Sequence, residues 1–219
     1  MTGQRRPALI LASASPRRRE LLERFWNPEH LSILVPDFDE KTAADLLTLP
    51  SAHELARILP AGKMAALKKQ YPLPDPAVAI AADTMVVLDD HILGKPADPA
   101  DAARMLRLLS GRQHEVLTGV CLSACCQGRW LDLQTVESTA VRFAALTEEQ
   151  IQWYVSTGEP MDKAGAYGIQ GCGAALIETI SGCYYNVMGL PVHRLMVMLQ
   201  QAADHFSSYS VFGHLLPWC

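Results

Sequence analysis

Arginine and serine side chains cluster where the sequence predicts a helix to begin, in Ser13-Ala-Ser-Pro-Arg-Arg-Arg-Glu20. Ser15 suits the N-cap of this helix, and the proline after it suits the first helical position. The free N–H groups of a helix N-terminus attract anions, and arginine adds donors that match phosphate oxygens. Arg17 and Arg18 in a first turn oppose the helix dipole, which favours a bound anion nearby. A solvated basic turn is the alternative, and no GxxxxGK[ST] phosphate-binding loop occurs in the chain.

A carboxylate, Asp83, interrupts the long apolar run Ala77–Leu88, which predicts a buried central strand. Burying an ionised carboxylate is costly unless it is paired or bound to a metal. We therefore expect Asp83 either at a cleft, where it could bind Mg²⁺ or deprotonate a water, or beside a cationic partner in a structural role.

Three lysines stand in or beside glycine-containing turns, namely Lys63, Lys95 and Lys163. A single lysine is usually a solvated surface charge, but glycine lets a ligand approach the backbone closely. An acidic segment that contains Asp37, Asp39 and Glu40 could supply oxygen ligands for a hard cation together with Asp83, although a polar loop is the simpler interpretation. His114 is expected to have a structural or surface role, at a turn before a strand.

Length and composition limit the class of protein. A chain of 219 residues, 49% of them hydrophobic and 19% charged, is expected to form one domain, or one domain with two lobes. The net charge of -4 argues against a nucleic-acid partner. Six cysteines without a CxxC pair indicate reduced thiols, and the apolar run after Arg5-Arg6 is too short for a secretion signal or a membrane span. We therefore expect a cytoplasmic protein without a membrane partner.

The pattern of apolar residues predicts an alternation of strands and helices. Strands are predicted at Ala8–Ala12, Leu31–Val35, Ala77–Leu88, Glu115–Ser123, Leu133–Ala144, Ala174–Ile180 and Cys183–Val187. Helices are predicted to begin at Ser15, Ser51, Asp98, Thr147 and Pro191. Pro60 and Gly62 predict a break in the second helix, with only Lys63–Gln70 helical beyond it. The fold class is therefore α/β with a mixed sheet, in a domain of residues 1–202 followed by a tail, 203–219, without an assigned role.

Taken together, the motifs closely resemble those of the Maf family. The matching pieces are Leu11-Ala-Ser-Ala-Ser-Pro-Arg-Arg-Arg-Glu-Leu-Leu22, Pro36-Asp-Phe-Asp-Glu40, Ala82-Asp-Thr84, Gly94-Lys-Pro96, Ser110-Gly111 with His114, Glu159-Pro-Met-Asp-Lys-Ala-Gly-Ala-Tyr-Gly-Ile-Gln-Gly171 and Asn186-Val-Met-Gly-Leu-Pro191. They follow the order of the family over about residues 8–195. The chain departs from the family at Leu59-Pro60-Ala-Gly-Lys63, and its tail has no recognised counterpart.

The resemblance implies a Maf/ITPase-like fold, with a twisted mixed sheet, flanking helices and two lobes around a central cleft, often as a homodimer. It also implies that Mg²⁺ or Mn²⁺ assists hydrolysis of a nucleoside triphosphate to the monophosphate and pyrophosphate. By this resemblance Asp83 is the base that activates water, and Glu40 and Asp83 are the metal ligands. The remaining positions implied to bind substrate are Ser15, Arg18, Lys63, Lys95 and Lys163.

The resemblance also implies a base preference. Arg17, Thr84 and Gln170 match family members that act on dTTP and UTP, whereas a sister subfamily that acts on 7-methyl-GTP has Ser-Asp-Gln in place of Ala-Asp-Thr. Thr and Gln both donate and accept hydrogen bonds, which suits the edge of a pyrimidine. Two alternatives remain, namely a non-catalytic nucleotide-binding regulator of cell division and a pyrophosphatase of different base preference.

Overall fold

A seven-stranded sheet is the frame of the molecule. The computed structural model describes residues 6–40, 50–209 and 212–216. The strands are β1 (Ala8–Leu11), β2 (Leu31–Ile33), β3 (Ala77–Leu88), β4 (His91–Leu93), β5 (Gln113–Cys126), β6 (Arg129–Phe143) and β7 (Ile177–Ser181). The helices of the described residues are α1 (Pro16–Glu23), α2 (Ala52–Gln70), α3 (Pro99–Leu109), α4 (Glu148–Ser156), α5 (Tyr184–Met188) and α6 (Val192–His205).

The sheet is mixed, which confirms the predicted fold class. Its strand order is β2-β1-β3-β5-β6-β7. Strand β4 lies off this path and pairs with the same edge of β3 as β1, farther along the strand. Strand β1 runs parallel to β2 and β3, while every other pairing in the described sheet is antiparallel. Strand β1 pairs with residues 77–80 of β3, and β4 pairs with residues 86–88. Within the described chain this edge of β3 is therefore unpaired at residues 81–85, and the sheet has a gap there.

The two faces of β3 pack against different helices, because successive side chains of a strand point to opposite faces. Val78 and Ile80 pack with residues of α1 and α6, whereas Ala79 and Ala81 pack with Met64 of α2. The alternation continues into the gap. Asp83 therefore projects toward α2, and the next residue projects toward α1.

The predicted break at Pro60 and Gly62 is wrong, because α2 is continuous from Ala52 to Gln70. Pro60 has no N–H for the Ala56 carbonyl, which costs about 3 kcal/mol in an isolated helix. Tertiary packing offsets this cost, since α2 lies directly on β5 at Gly119. A Cβ at residue 119 would lie 1.5 Å from the Ala56 oxygen and 3.0 Å from Pro60 Cγ.

Two of the predicted strands near the C-terminus also need correction. Cys183–Val187 was predicted as a strand, but Tyr184–Met188 is a short helix that ends at Gly189 in a left-handed conformation. The strand predicted at Ala174–Ile180 begins only at Ile177, since a 3-10 helix precedes it. Short apolar runs fit a buried strand and a buried helical turn equally well, so periodicity does not separate them.

The described part of the C-terminal tail packs into the core. Helix α6 continues to His205, and Phe212, Leu215 and Leu216 then pack in the same apolar cluster as α1 and α6. The Trp26 indole N–H donates to the Leu215 carbonyl at 2.7 Å.

Neither cross-links nor membrane spans are found in the described chain. Cys121, Cys125, Cys126, Cys172 and Cys183 are free thiols. Among the helices within residues 6–40, 50–209 and 212–216, none has the length and apolar character that crossing a bilayer requires.

The contact of α2 with Gly119 yields a test of the fold. Gly119→Ala should lower the free energy of unfolding by about 3 kcal/mol, because the new methyl group meets a backbone carbonyl that cannot rotate away. Gly94→Ala is the matched control, since a Cβ there would meet nothing within 4 Å. Urea unfolding of both variants would measure the difference, and equal midpoints would contradict the packing described.

Candidate active site

A cleft of about 930 Å³ opens where the edge of β3 is unpaired. All ten residues predicted to form the site line this cleft. They are Ser15, Arg17, Arg18, Glu40, Lys63, Asp83, Thr84, Lys95, Lys163 and Gln170. Asp37 and Asp39, which the sequence offered as additional cation ligands, do not belong to the lining.

The N-terminus of α1 faces the cleft directly after β1. The Ser15 hydroxyl caps the helix and accepts from the Arg18 N–H at 3.4 Å, as predicted. The first turn of α1 carries no acidic residue. Its positive dipole end is therefore available to an anion in the cleft.

Arg18 is the buried centre of this wall. Its Nε donates to the Gly189 carbonyl at 2.8 Å, Nη1 to Ser13 Oγ at 3.0 Å and Nη2 to Thr84 Oγ1 at 3.0 Å. Burial lowers the pKa of Arg18, and the negative charge of Asp83 partly opposes that shift. The guanidinium therefore joins the loop after β1, strand β3 and the end of α5.

The hydroxyl of Thr84 supports Arg18 in this structure. Besides accepting from Arg18, it lies 2.9 Å from Thr118 Oγ1 and 3.4 Å from the Gly189 carbonyl. Thr118 is fully buried and donates in turn to the Asn186 carbonyl at 3.1 Å. Sequence reasoning did not find Thr118, because an isolated threonine in a β-rich run carries no signal.

Lys63 stands between two carboxylates on the opposite face of the sheet. Its Nζ lies 2.6 Å from Asp83 Oδ1 and 2.6 Å from Glu40 Oε1. Gly62 helps to position Glu40, because the Phe38 ring occupies the space that a Cβ at residue 62 would fill, with the nearest ring carbon at 2.4 Å. Lys63 thus reaches Asp83 although Pro60 and Gly62 precede it on α2.

Two carboxylates are available to a divalent metal. Asp83 and Glu40 each give one oxygen to Lys63 and retain a second oxygen. No group of three or more potential ligands (His, Cys, Asp or Glu) is arranged to hold an ion in the described part of the chain. Mg²⁺ is commonly held by one or two carboxylates together with substrate phosphates and waters. The donor set thus fits an ion that is bound together with a phosphorylated substrate.

The glycine-rich loop forms the other wall and is built around Glu159. The Glu159 carboxylate accepts from Tyr154 Oη at 2.9 Å and from the Cys172 N–H at 2.9 Å. Its carbonyl accepts from Lys163 Nζ at 2.6 Å. Gly168 leaves room for the stem of Lys163, since a Cβ there would lie 2.5 Å from Lys163 Cε. The sequence motif contained Glu159, but the role of its carboxylate became visible only in the fold.

Ion pairs occupy most of the cationic side chains of the cleft. Asp162 accepts from Arg17 Nη1 at 2.8 Å and from Lys163 Nζ at 2.7 Å. Burial alone would raise the pKa of Asp162, but these hydrogen bonds outweigh it and hold the pKa below its usual value. Lys95 is exposed, and neither it nor Gln170 has a side-chain hydrogen bond in the described residues.

The lining of the cleft is positive although the chain is acidic. Among the described residues, five cationic side chains and three carboxylates line it, against a net charge of -4 for the whole chain. A polyanion is therefore attracted to the cleft and not to the surface as a whole.

His114 is buried next to Tyr167, a residue that lines the cleft. It lies inside β5, which corrects its predicted position at a turn before a strand. Its Nε2 lies 2.7 Å from Tyr167 Oη, and its ring packs edge-on against Phe143. Burial lowers the pKa of His114 to about 4, so it is neutral in the folded protein near neutral pH. Tyr167 itself lines the cleft, and a structural role for His114 accounts for these contacts.

Comparisons with known proteins identify the family to which the chain is similar. The Maf-like protein family matches residues 8–202. A dTTP/UTP pyrophosphatase of Symbiobacterium thermophilum is 54% identical over 194 residues, which cover 88% of this chain and 93% of the relative. A dTTP/UTP pyrophosphatase of Anaeromyxobacter dehalogenans (strain 2CP-C) is 42% identical over 216 residues, which cover 97% of both chains.

The chain is also similar to solved structures, one of which is a HAM1 protein from Coxiella burnetii, with a TM-score of 0.38 and 13% identity, covering 64% of this chain and 74% of that one.

The burial of His114 predicts a pH dependence of stability. Its folded pKa is depressed from 6.5 to about 4, so the unfolded chain binds more protons between these values. The free energy of unfolding should therefore fall by about 2 kcal/mol as the pH drops from about 7 to about 5. Urea titrations at both pH values would measure this loss, which should be smaller in His114→Gln and unchanged in the exposed control His193→Gln. An equal loss in His114→Gln would show that another group is responsible.

Proposed function

Because this chain belongs to the Maf family, we propose that it hydrolyses dTTP and UTP to the nucleoside monophosphate and pyrophosphate. The observation that carries the proposal is the Asp83 carboxylate, held by Lys63 at the gap in the sheet and surrounded by cationic side chains. The relatives named dTTP/UTP pyrophosphatase support this activity, since 42% to 54% identity extends over most of the chain.

The cationic side chains would bind the triphosphate. Arg17, Lys95 and Lys163 line the same cleft as the N-terminus of α1, and together they could contact several charged oxygens. Fixed cations and N–H groups stabilise the charge that develops on phosphate oxygens during hydrolysis. Arg18 is held by three hydrogen bonds, so its remaining N–H groups keep a fixed orientation.

Asp83 would act as the general base. One of its oxygens accepts from Lys63, which fixes the side-chain orientation, and the other can accept a proton from water. The water oxygen then attacks the α-phosphorus, and the bond from that phosphorus to the bridging oxygen breaks. Pyrophosphate leaves with the electron pair of that bond, while the proton remains on Asp83.

Glu40 and Asp83 are the residues that would hold a divalent cation, Mg²⁺ or Mn²⁺. When bound, such an ion would neutralise phosphate charge. Removal of divalent ions should therefore abolish turnover.

Gln170 is the residue best suited to select the base. It lies on the lining, and its amide has both donors and an acceptor free of hydrogen bonds in the described residues. Thr84 would contribute mainly by orienting Arg18, because its hydroxyl already has partners. A preference for 7-methyl-GTP is the alternative within the family. A cytoplasmic location and a homodimeric state also belong to this proposal.

The reaction can be tested by measuring pyrophosphate release from dTTP, UTP, CTP, 7-methyl-GTP and ITP with Mg²⁺ or Mn²⁺. We expect release from dTTP and UTP, and a fall of about 100- to 10,000-fold in Asp83→Asn, because the base is lost. Asp132→Asn is the matched control, since it removes another carboxylate paired with a lysine, Lys68, outside the cleft. Binding of dTTP without release by the wild type would favour the regulator, and full activity in Asp83→Asn would exclude Asp83 as the base.

A further inference from the structure

Asp162 forms a bridge across the mouth of the cleft. One of its oxygens lies 2.8 Å from Arg17 Nη1, and the other lies 2.7 Å from Lys163 Nζ. Arg17 belongs to α1, whose buried face packs with α6, whereas the loop of Asp162 packs with α3 and α4. The Asp162 carboxylate thus forms ion pairs with one cation from each wall of the cleft.

The side chains of Arg17 and Lys163 are less exposed to solvent than the side chain of Asp162. The Lys163 side chain is only 13% exposed, and its Nζ is also bound to the Glu159 carbonyl. The Arg17 side chain is 28% exposed, whereas that of Asp162 is 59% exposed. Exposed ion pairs contribute little to stability, so Asp162 can leave at small cost while both cations stay at the cleft.

The contacts of the Asp162 carboxylate are of the kind that a phosphate makes. A carboxylate bound by an arginine and a lysine uses the same charge-assisted hydrogen bonds as a phosphate oxygen. A phosphate carries more negative charge and three terminal oxygens, so it can contact both cations more completely. Lys95, which has no side-chain partner in the described chain, lines the same cleft and could add a third contact.

We propose that Asp162 occupies a phosphate subsite between Arg17 and Lys163 in the unliganded protein, and that a substrate phosphate displaces it. The identity of the ligand as a nucleoside triphosphate rests on the proposed function, but the anion site does not. Asp162 therefore competes with the ligand. It weakens the binding of phosphates and so favours release of the pyrophosphate product.

Removal of the Asp162 charge should strengthen the binding of phosphates, whereas damage to a binding site would weaken it. Asp162→Asn should tighten the binding of inorganic pyrophosphate about fivefold, because the competing charge is removed while both cations remain. Asp162→Ala should do the same without leaving an amide in the subsite. Isothermal titration of inorganic pyrophosphate into each purified protein would measure the dissociation constants, and thermal melting would verify that each variant is folded.

Two controls separate displacement from a general change in charge. Glu148→Gln makes the same change in net charge at an exposed pair with Arg107 outside the cleft, and it should leave the affinity unchanged. The second control is the double variant. When Asp162→Asn is added to Arg17→Ala, the affinity for pyrophosphate should rise by less than it does in the wild type, because one of the two cations is absent. The gain should also shrink at high salt.

The outcomes also separate this proposal from the proposed function. Tighter binding in both Asp162 variants supports the subsite even if no nucleotide is hydrolysed. Unchanged or weaker binding, or no binding of pyrophosphate to any of the proteins, overturns the subsite even if dTTP hydrolysis is intact.

Discussion

The buried guanidinium of Arg18 is the interaction on which the arrangement of the cleft depends. It is bound to the loop after β1, to strand β3 and to the end of α5 through Ser13, Thr84 and Gly189. A buried cation is costly unless its donors are satisfied, so these three segments must meet in one geometry. Because the same segments form one wall of the cleft, satisfying this charge also fixes the N-terminus of α1 beside Asp83.

Close backbone packing on the other face brings Lys63 to Asp83. Gly119 lies opposite Asp83 in the sheet, and its missing side chain admits the Ala56 carbonyl and the Pro60 ring of α2. Lys63 follows one turn later on the same helix and reaches Asp83 at 2.6 Å. The proline that weakens the helix locally therefore stands at the contact that positions the lysine.

Three of the five described cationic side chains of the cleft form ion pairs in the unliganded protein. Lys63 is paired with Glu40 and Asp83, and Asp162 is paired with Arg17 and Lys163. The side chains of Lys63 and Asp83 are each only 14% exposed, whereas that of Asp162 is 59% exposed. This difference in burial agrees with the two proposed roles, in which Asp83 stays in place as the base while Asp162 yields its position to a phosphate.

The sequence by itself determined the class of the fold and the residues that the fold brings to one cleft. Helix caps at Ser15 and Ser51, the apolar run around Asp83 and the glycine-rich loop are local signals, and each of the ten predicted site residues lies on one cleft. Only the tertiary structure decided the continuity of α2, the helical state of 184–188 and the partners of Thr84 and Asp162. These features depend on contacts between residues far apart in the chain, such as Ala56 with Gly119 or Arg17 with Asp162, and local propensity carries no information about such contacts.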